Sequence, residues 1–162
     1  MAREVVTIKG LEGVLDTLKK LPPEIVSKRG GPVKSALRKA ALVIRNEAQA
    51  NVQKIIDTPN LDGERSKSIG LLKQNIIASR NPRPNFRGEG YLVRVKRKVY
   101  PDSRGRRVTT SKVGTILEVG SERQTAKPWM RPAMVKAPQA VDVFVVEIRK
   151  RIAAIKRKLG LK

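Results

Sequence analysis

Neither cysteine nor histidine occurs anywhere in the 162 residues. The first absence removes disulfides and thiol nucleophiles, and the second removes the commonest general base. Together they take away the usual zinc and haem ligand sets, so no cofactor is expected. Lack of cysteine also fits synthesis in a reducing cytoplasm. Aromatic residues make up 3% of the chain against 40% for hydrophobic residues as a whole, so the core has to be built from Ala, Val, Ile and Leu. Trp129, Phe144, Tyr91, Tyr100 and Phe86 are its scarce anchors, and Trp129 is the only tryptophan.

Long apolar runs are missing too. The opening MAREVVTIKG has no run of signal-peptide length, and no stretch approaches the roughly 18 uncharged apolar residues that span a bilayer. The expectation is a soluble protein with no membrane partner. Acid is the last scarcity: 14 Asp and Glu stand against 36 Lys and Arg, a formal charge of +22. So large an imbalance points to a polyanionic neighbour, nucleic acid or an acidic surface, with a merely solvated and self-repelling surface as the plainer reading.

What is present organises into one expected domain, residues 1–162, because a chain of about 150 residues already buries roughly 68 to 70% of its unfolded surface. A strand and a short helix are expected over 4–21, from β-branched Glu4 to Ile8 and then Leu11, Val14, Leu15 and Leu18 at helical spacing before Pro22-Pro23. After Gly30-Gly31, Pro32 suits a first helical turn. Val33, Leu37, Ala40, Ile44, Ala48 and Val52 then recur at steps of three and four, which predicts a long helix over 32–56 with a narrow, Ala-rich apolar face. Asp57 to Ser68 reads as turn chemistry.

The stretch 70–120 is expected to form the sheet. Asn75 to Arg80 is one strand, and Tyr91 to Tyr100 alternates so that Tyr91, Val93 and Val95 share a face opposite Leu92, Arg94 and Lys96. PDSRGRRVTTSKVG then reads as the tip of a long basic hairpin whose return strand is Gly114 to Gly120. A C-terminal helix is expected over 128–160, with Pro132 in its first turn and Pro138 kinking or restarting it. Val141, Val145, Ile148, Ile152, Ile155 and Leu159 form its apolar stripe, suited to docking on the chain's own sheet or on a neighbouring subunit. The fold class is therefore α+β: a mostly antiparallel sheet of about four strands against a long helix in the N-terminal half and a C-terminal helix.

Catalytic patterns fail when tested. Pro101-Asp102 opens a metal-nuclease pattern, but no acidic residue two before a lysine follows it. Gly30-Gly31 lacks phosphate-loop spacing. Ser121 has no histidine to activate it, and Glu118 and Glu122 read as surface acids rather than a catalytic pair. The sequence predicts no enzyme.

Two stretches carry a resemblance. Glu118-Val119-Gly120-Ser121, a polar gap, and Lys127-Pro128-Trp129-Met130-Arg131-Pro132-Ala133 resemble the "E-aromatic-G-T … P-F-L-R-P-A" signature of the tailed-phage neck or tail-completion (head-tail joining) family. Gly70-Leu71-Leu72-Lys73-Gln74-Asn75-Ile76 is similar to that family's "T-G-x-L-R-x-S-I" turn. Val119 stands where the aromatic is usual, Ile69 where the Thr is, and Asn75 where the Ser is. The resemblance implies a small, non-enzymatic α/β virion protein, made in the host cytoplasm and assembled as a ring of six or twelve copies at the head-tail junction or upper tail. It also implies connector, terminator or tail-tube proteins as partners, with packaged DNA as a further non-specific one.

Candidate subunit contacts are Trp129, Met130, Arg131, Val145, Ile148, Ile152 and Ile155. Arg94, Lys96, Arg97, Lys98, Arg104, Arg106 and Arg107 are the candidates for phosphate or an acidic partner. The alternative reading is a free, sequence-independent nucleic-acid binder that clamps phosphates with the Arg94 to Lys112 hairpin.

Overall fold

A computed structural model describes residues 31–59, 63–81 and 90–158. The strand and short helix expected over 4–21 lie outside those residues, as do Phe86 and Leu159. In chain order the elements are α1 (Pro32–Ile56), α2 (Gly63–Gln74), β1 (Ile76–Arg80), β2 (Tyr91–Val95), β3 (Val99–Pro101), β4 (Arg107–Thr109), α3 (Thr110–Val119), the single-turn α4 (Met130–Ala133), a 3-10 turn (Met134–Lys136) and α5 (Ala137–Lys158). The fold is α+β, and among the described residues every strand pairs antiparallel.

Helix α1 is the spine. It starts where the sequence predicts: Pro32 occupies the first turn, where its missing N–H would have had no helical partner. At its far end Asp57 donates its backbone N–H to Gln53 O, and the Thr58 hydroxyl donates to Lys54 O. At 1.5 Å per residue its 25 residues reach roughly 37 Å. It touches α2, β1, β2, α4 and α5.

Two apolar clusters hang on this spine. The first half of α1 presents Ala36, flanked by Val33, to Ile148 and Ile152 of α5, with Phe144 and Val145 packed alongside. The second half presents Ala48, Val52 and Ile55 to Ile69 and Leu72 of α2, Ile76 of β1, Leu117 of α3, and Trp129 and Ala133. Of the expected stripe only Ala48 and Val52 are buried, with Val33 and Ile44 packed partly buried against the two clusters, whereas fully buried Ala36 lies outside it.

Strands β1 and β2 pair antiparallel from Ile76↔Val95 to Arg80↔Tyr91. The alternation of Tyr91 to Val95 follows the expected parity, with Val93 and Val95 turned to the core and Leu92 and Arg94 exposed. Among the described residues four strands form, but as two separate ladders rather than one sheet: β3 pairs with β4, from Val99↔Thr109 to Pro101↔Arg107.

Three expectations are corrected. The turn expected over 57–68 gives way at Gly63 to helix α2, which buries only Ile69 and Leu72 and so shows almost no apolar period in the sequence. The strand Tyr91 to Tyr100 is broken at Lys96, where the chain leaves β1 and crosses to a new partner. The return strand expected at Gly114 to Gly120 is helix α3; the returning strand is β4, which ends at Thr109. There the Thr109 hydroxyl accepts the Lys112 backbone N–H and caps the helix. Thr110, Gly114 and Leu117 are buried at helical spacing, so tertiary packing overrides a β-branched composition.

Among the described residues no helix is long and apolar enough to cross a membrane.

Candidate functional site

The two halves of the Glu118 to Ala133 stretch meet in space. Glu118 sits on the last turn of α3, which ends at Gly120 in the left-handed region, φ 82°. A Cβ at Gly120 would lie 3.0 Å from Ala126 N, so both the turn and the crowding call for glycine. The chain reverses through a bridge between Ser121 and Gln124, and Lys127 N returns to Leu117 O at 2.7 Å.

That return delivers Trp129, Met130 and Arg131 to the Glu118 carboxylate. Oε2 accepts the backbone N–H groups of Trp129 and Met130, each at 2.8 Å, and Oε1 accepts that of Arg131 at 3.0 Å. The Arg131 guanidinium adds an ion pair to Oε1 at 3.3 Å. Helix α4 has no side-chain cap of its own, so a carboxylate from another element does the capping. Burial pushes the Glu118 carboxyl up, but the three backbone donors and Arg131 outweigh it and hold it below the usual glutamate range. An ionised carboxylate so fully engaged is a structural tie rather than a proton carrier.

Trp129 is pinned at both ends. Its indole Nε1 donates to Gly114 O at 3.0 Å, and its carbonyl accepts the buried Asn51 side-chain N–H at 3.1 Å. The ring approaches Gly114 so closely that a Cβ there would stand 3.4 Å from Trp129 Cζ2 and 3.2 Å from Leu72 Cδ1. With 4% of its surface exposed, Trp129 fills the chain's own core. Trp129 also lines an open groove with Val95, Ser111, Gly114, Thr115, Glu118 and Val119.

The other contact candidates separate. Met130 packs, half-buried, on the Trp129 cluster, and Arg131 is exposed. Ile148 and Ile152 are buried against α1 in the second cluster, Val145 packs beside them, and Ile155 is half-buried. Ile148 and Ile152, with Val145 beside them, therefore dock on the chain's own long helix rather than on a sheet. The large apolar residues that α5 and the turn before it expose are Met134, Val135, at 79%, and Val146, at 66%. Val135 and Val146 lie roughly three turns apart along one helical run, and sequence periodicity gives them no prominence.

The basic candidates separate as well. Arg94 Nε donates to Ser79 Oγ at 2.8 Å. Arg106 closes the hairpin tip, pairing with Asp102 Oδ2 while Asp102 Oδ1 accepts the Arg104 and Arg106 backbone N–H groups. Lys96, Arg97, Lys98, Arg104 and Arg107 are exposed. Glu122 is exposed on the loop after Gly120 and does not join Glu118 at the carboxylate tie.

Glu118 and Asn51 tie this corner together, and neither is among the contact candidates drawn from the sequence. Only Glu118 carried a signal, as the first residue of the quoted signature. No group of three or more Asp and Glu residues arranged to hold a metal exists among the described residues. Comparison of the chain with family models, curated proteins and solved structures returns no match.

Proposed function

We propose that this chain is a non-enzymatic structural subunit of a long-tailed phage virion, a neck or tail-completion protein that joins head and tail by assembling into a ring. The observation that supports the reading is the Glu118 tie. Of the residues that carry the resemblance, Glu118 touches Trp129, Met130 and Arg131 while Gly120 makes the turn between them, and their chemistry is used up in fixing a corner. A signature consumed in this way marks a rigid joint.

A ring needs each subunit to bury one patch against a different patch of its neighbour. Val135 and Val146 on the open side of the α5 run, and Val119 beside the groove over Trp129, are exposed apolar surfaces of the kind such contacts use. The formal charge of +22 suits acidic connector, terminator or tail-tube partners and packaged DNA.

The test is twofold. Native mass measurement of the purified chain, alone and with tail components, is expected to give closed six- or twelve-copy species. Negative-stain imaging of particles made without it is expected to show unjoined heads and tails, and heads joined normally to tails in its absence would overturn the proposal.

A further inference from the structure

The link between β2 and β3, Lys96-Arg97-Lys98, is fastened from below. Thr110 is fully buried, yet its hydroxyl donates to Lys96 O at 2.7 Å and accepts the Lys98 N–H at 2.9 Å. Its own N–H donates to Lys98 O at 3.0 Å, and Lys96 N donates to Asn75 O at 2.8 Å. Three successive exposed cations thus sit on a backbone tied at both ends.

Nearby in the chain path, Arg107 lies on β4 just before this clasp, and Lys112 lies on the first turn of α3 just after it. None of the side chains of Lys96, Arg97, Lys98, Arg107 and Lys112 makes a hydrogen bond or ion pair among the described residues. The tip differs, because Asp102 already neutralises Arg106 there. Neighbouring exposed cations repel weakly in salt, and an anion that bridges them gains from each of them.

We propose that the Thr110-clasped turn is a contact for the phosphate backbone of double-stranded nucleic acid, read without regard to sequence, with Thr110 as its positioning residue. The patch has the composition of a phosphate contact. Protein interfaces have an apolar centre and are depleted in lysine, whereas the main apolar surface here is half-exposed Val99. Single-strand binders add aromatic platforms for bases, but Tyr91 and Tyr100 are both partly buried in their ladders. Cations on a fixed backbone also lose less freedom on binding. The inference narrows the contact from the whole Arg94 to Lys112 hairpin to its base, and it does not depend on ring assembly.

The test uses the full chain and a random-sequence DNA duplex of about 20 base pairs, with affinity followed by fluorescence anisotropy between about 50 and 200 mM salt. Lys96→Gln/Arg97→Gln/Lys98→Gln is expected to flatten the log-affinity against log-salt slope by about 0.9 for each phosphate no longer neutralised, so by about 2 to 3 in all. The matched control Lys150→Gln/Arg157→Gln/Lys158→Gln removes the same charge from α5 and is expected to change the slope by less than about 0.9, the value of a single phosphate. Equal losses from both variants, or no loss from the first, would overturn the site.

Thr110→Val keeps all the cations and is expected to weaken binding about tenfold, with Thr110→Ser restoring it; wild-type affinity in a folded Thr110→Val chain would remove the positioning role. Poly-glutamate added as competitor is expected to displace the duplex only at a large excess of charge. Displacement at equal charge would overturn nucleic acid in favour of an acidic protein. Native mass measurement of the same variants keeps ring formation separate from DNA binding.

Discussion

Glu118 shows how much one side chain can organise. Its carboxylate replaces the N-terminal cap that α4 lacks, and hydrogen bonds to a charged acceptor are worth about 1.5 to 3 kcal/mol each before coupling. Glu118→Gln, which cannot accept all three N–H groups as an anion, is expected to lower stability by about 1 to 3 kcal/mol in urea unfolding. The sign with pH follows from the direction of the shift. A folded carboxyl held below its unfolded value of 4.5 contributes stability above that value and loses it as pH falls through the folded one. Asp102, tied to Arg106, and Glu147, tied to Lys39 and Arg151, are depressed too and act in the same sense. Urea midpoints of the wild type are therefore expected to drop on acidification below about pH 4.5, with a shallower drop in Glu118→Gln. At the same corner, Trp129→Ala is expected to cost about 3 to 5 kcal/mol in the isolated monomer, as for other buried aromatics. A monomer of unchanged stability would instead mark Trp129 as an interface residue.

Between residue and molecule, the elements divide by how visible their cause is in the sequence. Helix α1 was legible to its ends because its signal is local: a proline at the start, small apolar residues at helical steps, and turn residues after Ile56. Helix α3 was not, because Val113, Thr115, Ile116 and Val119 favour strands by composition, and what makes it helical is remote: the cap at Thr109 and the fit of Gly114 against Leu72 and Trp129. Thr109→Ala is accordingly expected to cost about 1 kcal/mol, measured by thermal unfolding. Helix α2 was hidden for the opposite reason, since its two buried residues leave too little period to detect. The candidate site follows the same rule. The sequence marked out Trp129 and the basic hairpin, but not which cations are already paired, because Asp102–Arg106 and Arg94–Ser79 are settled only by folded geometry.

For the whole molecule, a +22 chain repels copies of itself, so any ring contact has to be apolar or to set cations apart. Val146→Glu and Val135→Glu are expected to abolish ring species in native mass measurements while leaving the unfolding free energy of the monomer within about 0.5 kcal/mol of wild type, the usual range for exposed positions. The two clusters strung along α1 add a consequence of a different kind. The α5 cluster is held by Ala36, Ile148 and Ile152 and by the Lys39–Glu147 bridge, and the Trp129 cluster shares none of these residues. A helix fastened to one end of a long rod can detach while the other end stays packed, so opening is expected in two steps rather than one. Hydrogen exchange should find the amides of α5 opening at lower free energy than those of α1 between Ala48 and Ile55. Uniform protection across both would mean that the rod transmits cooperativity along its whole length.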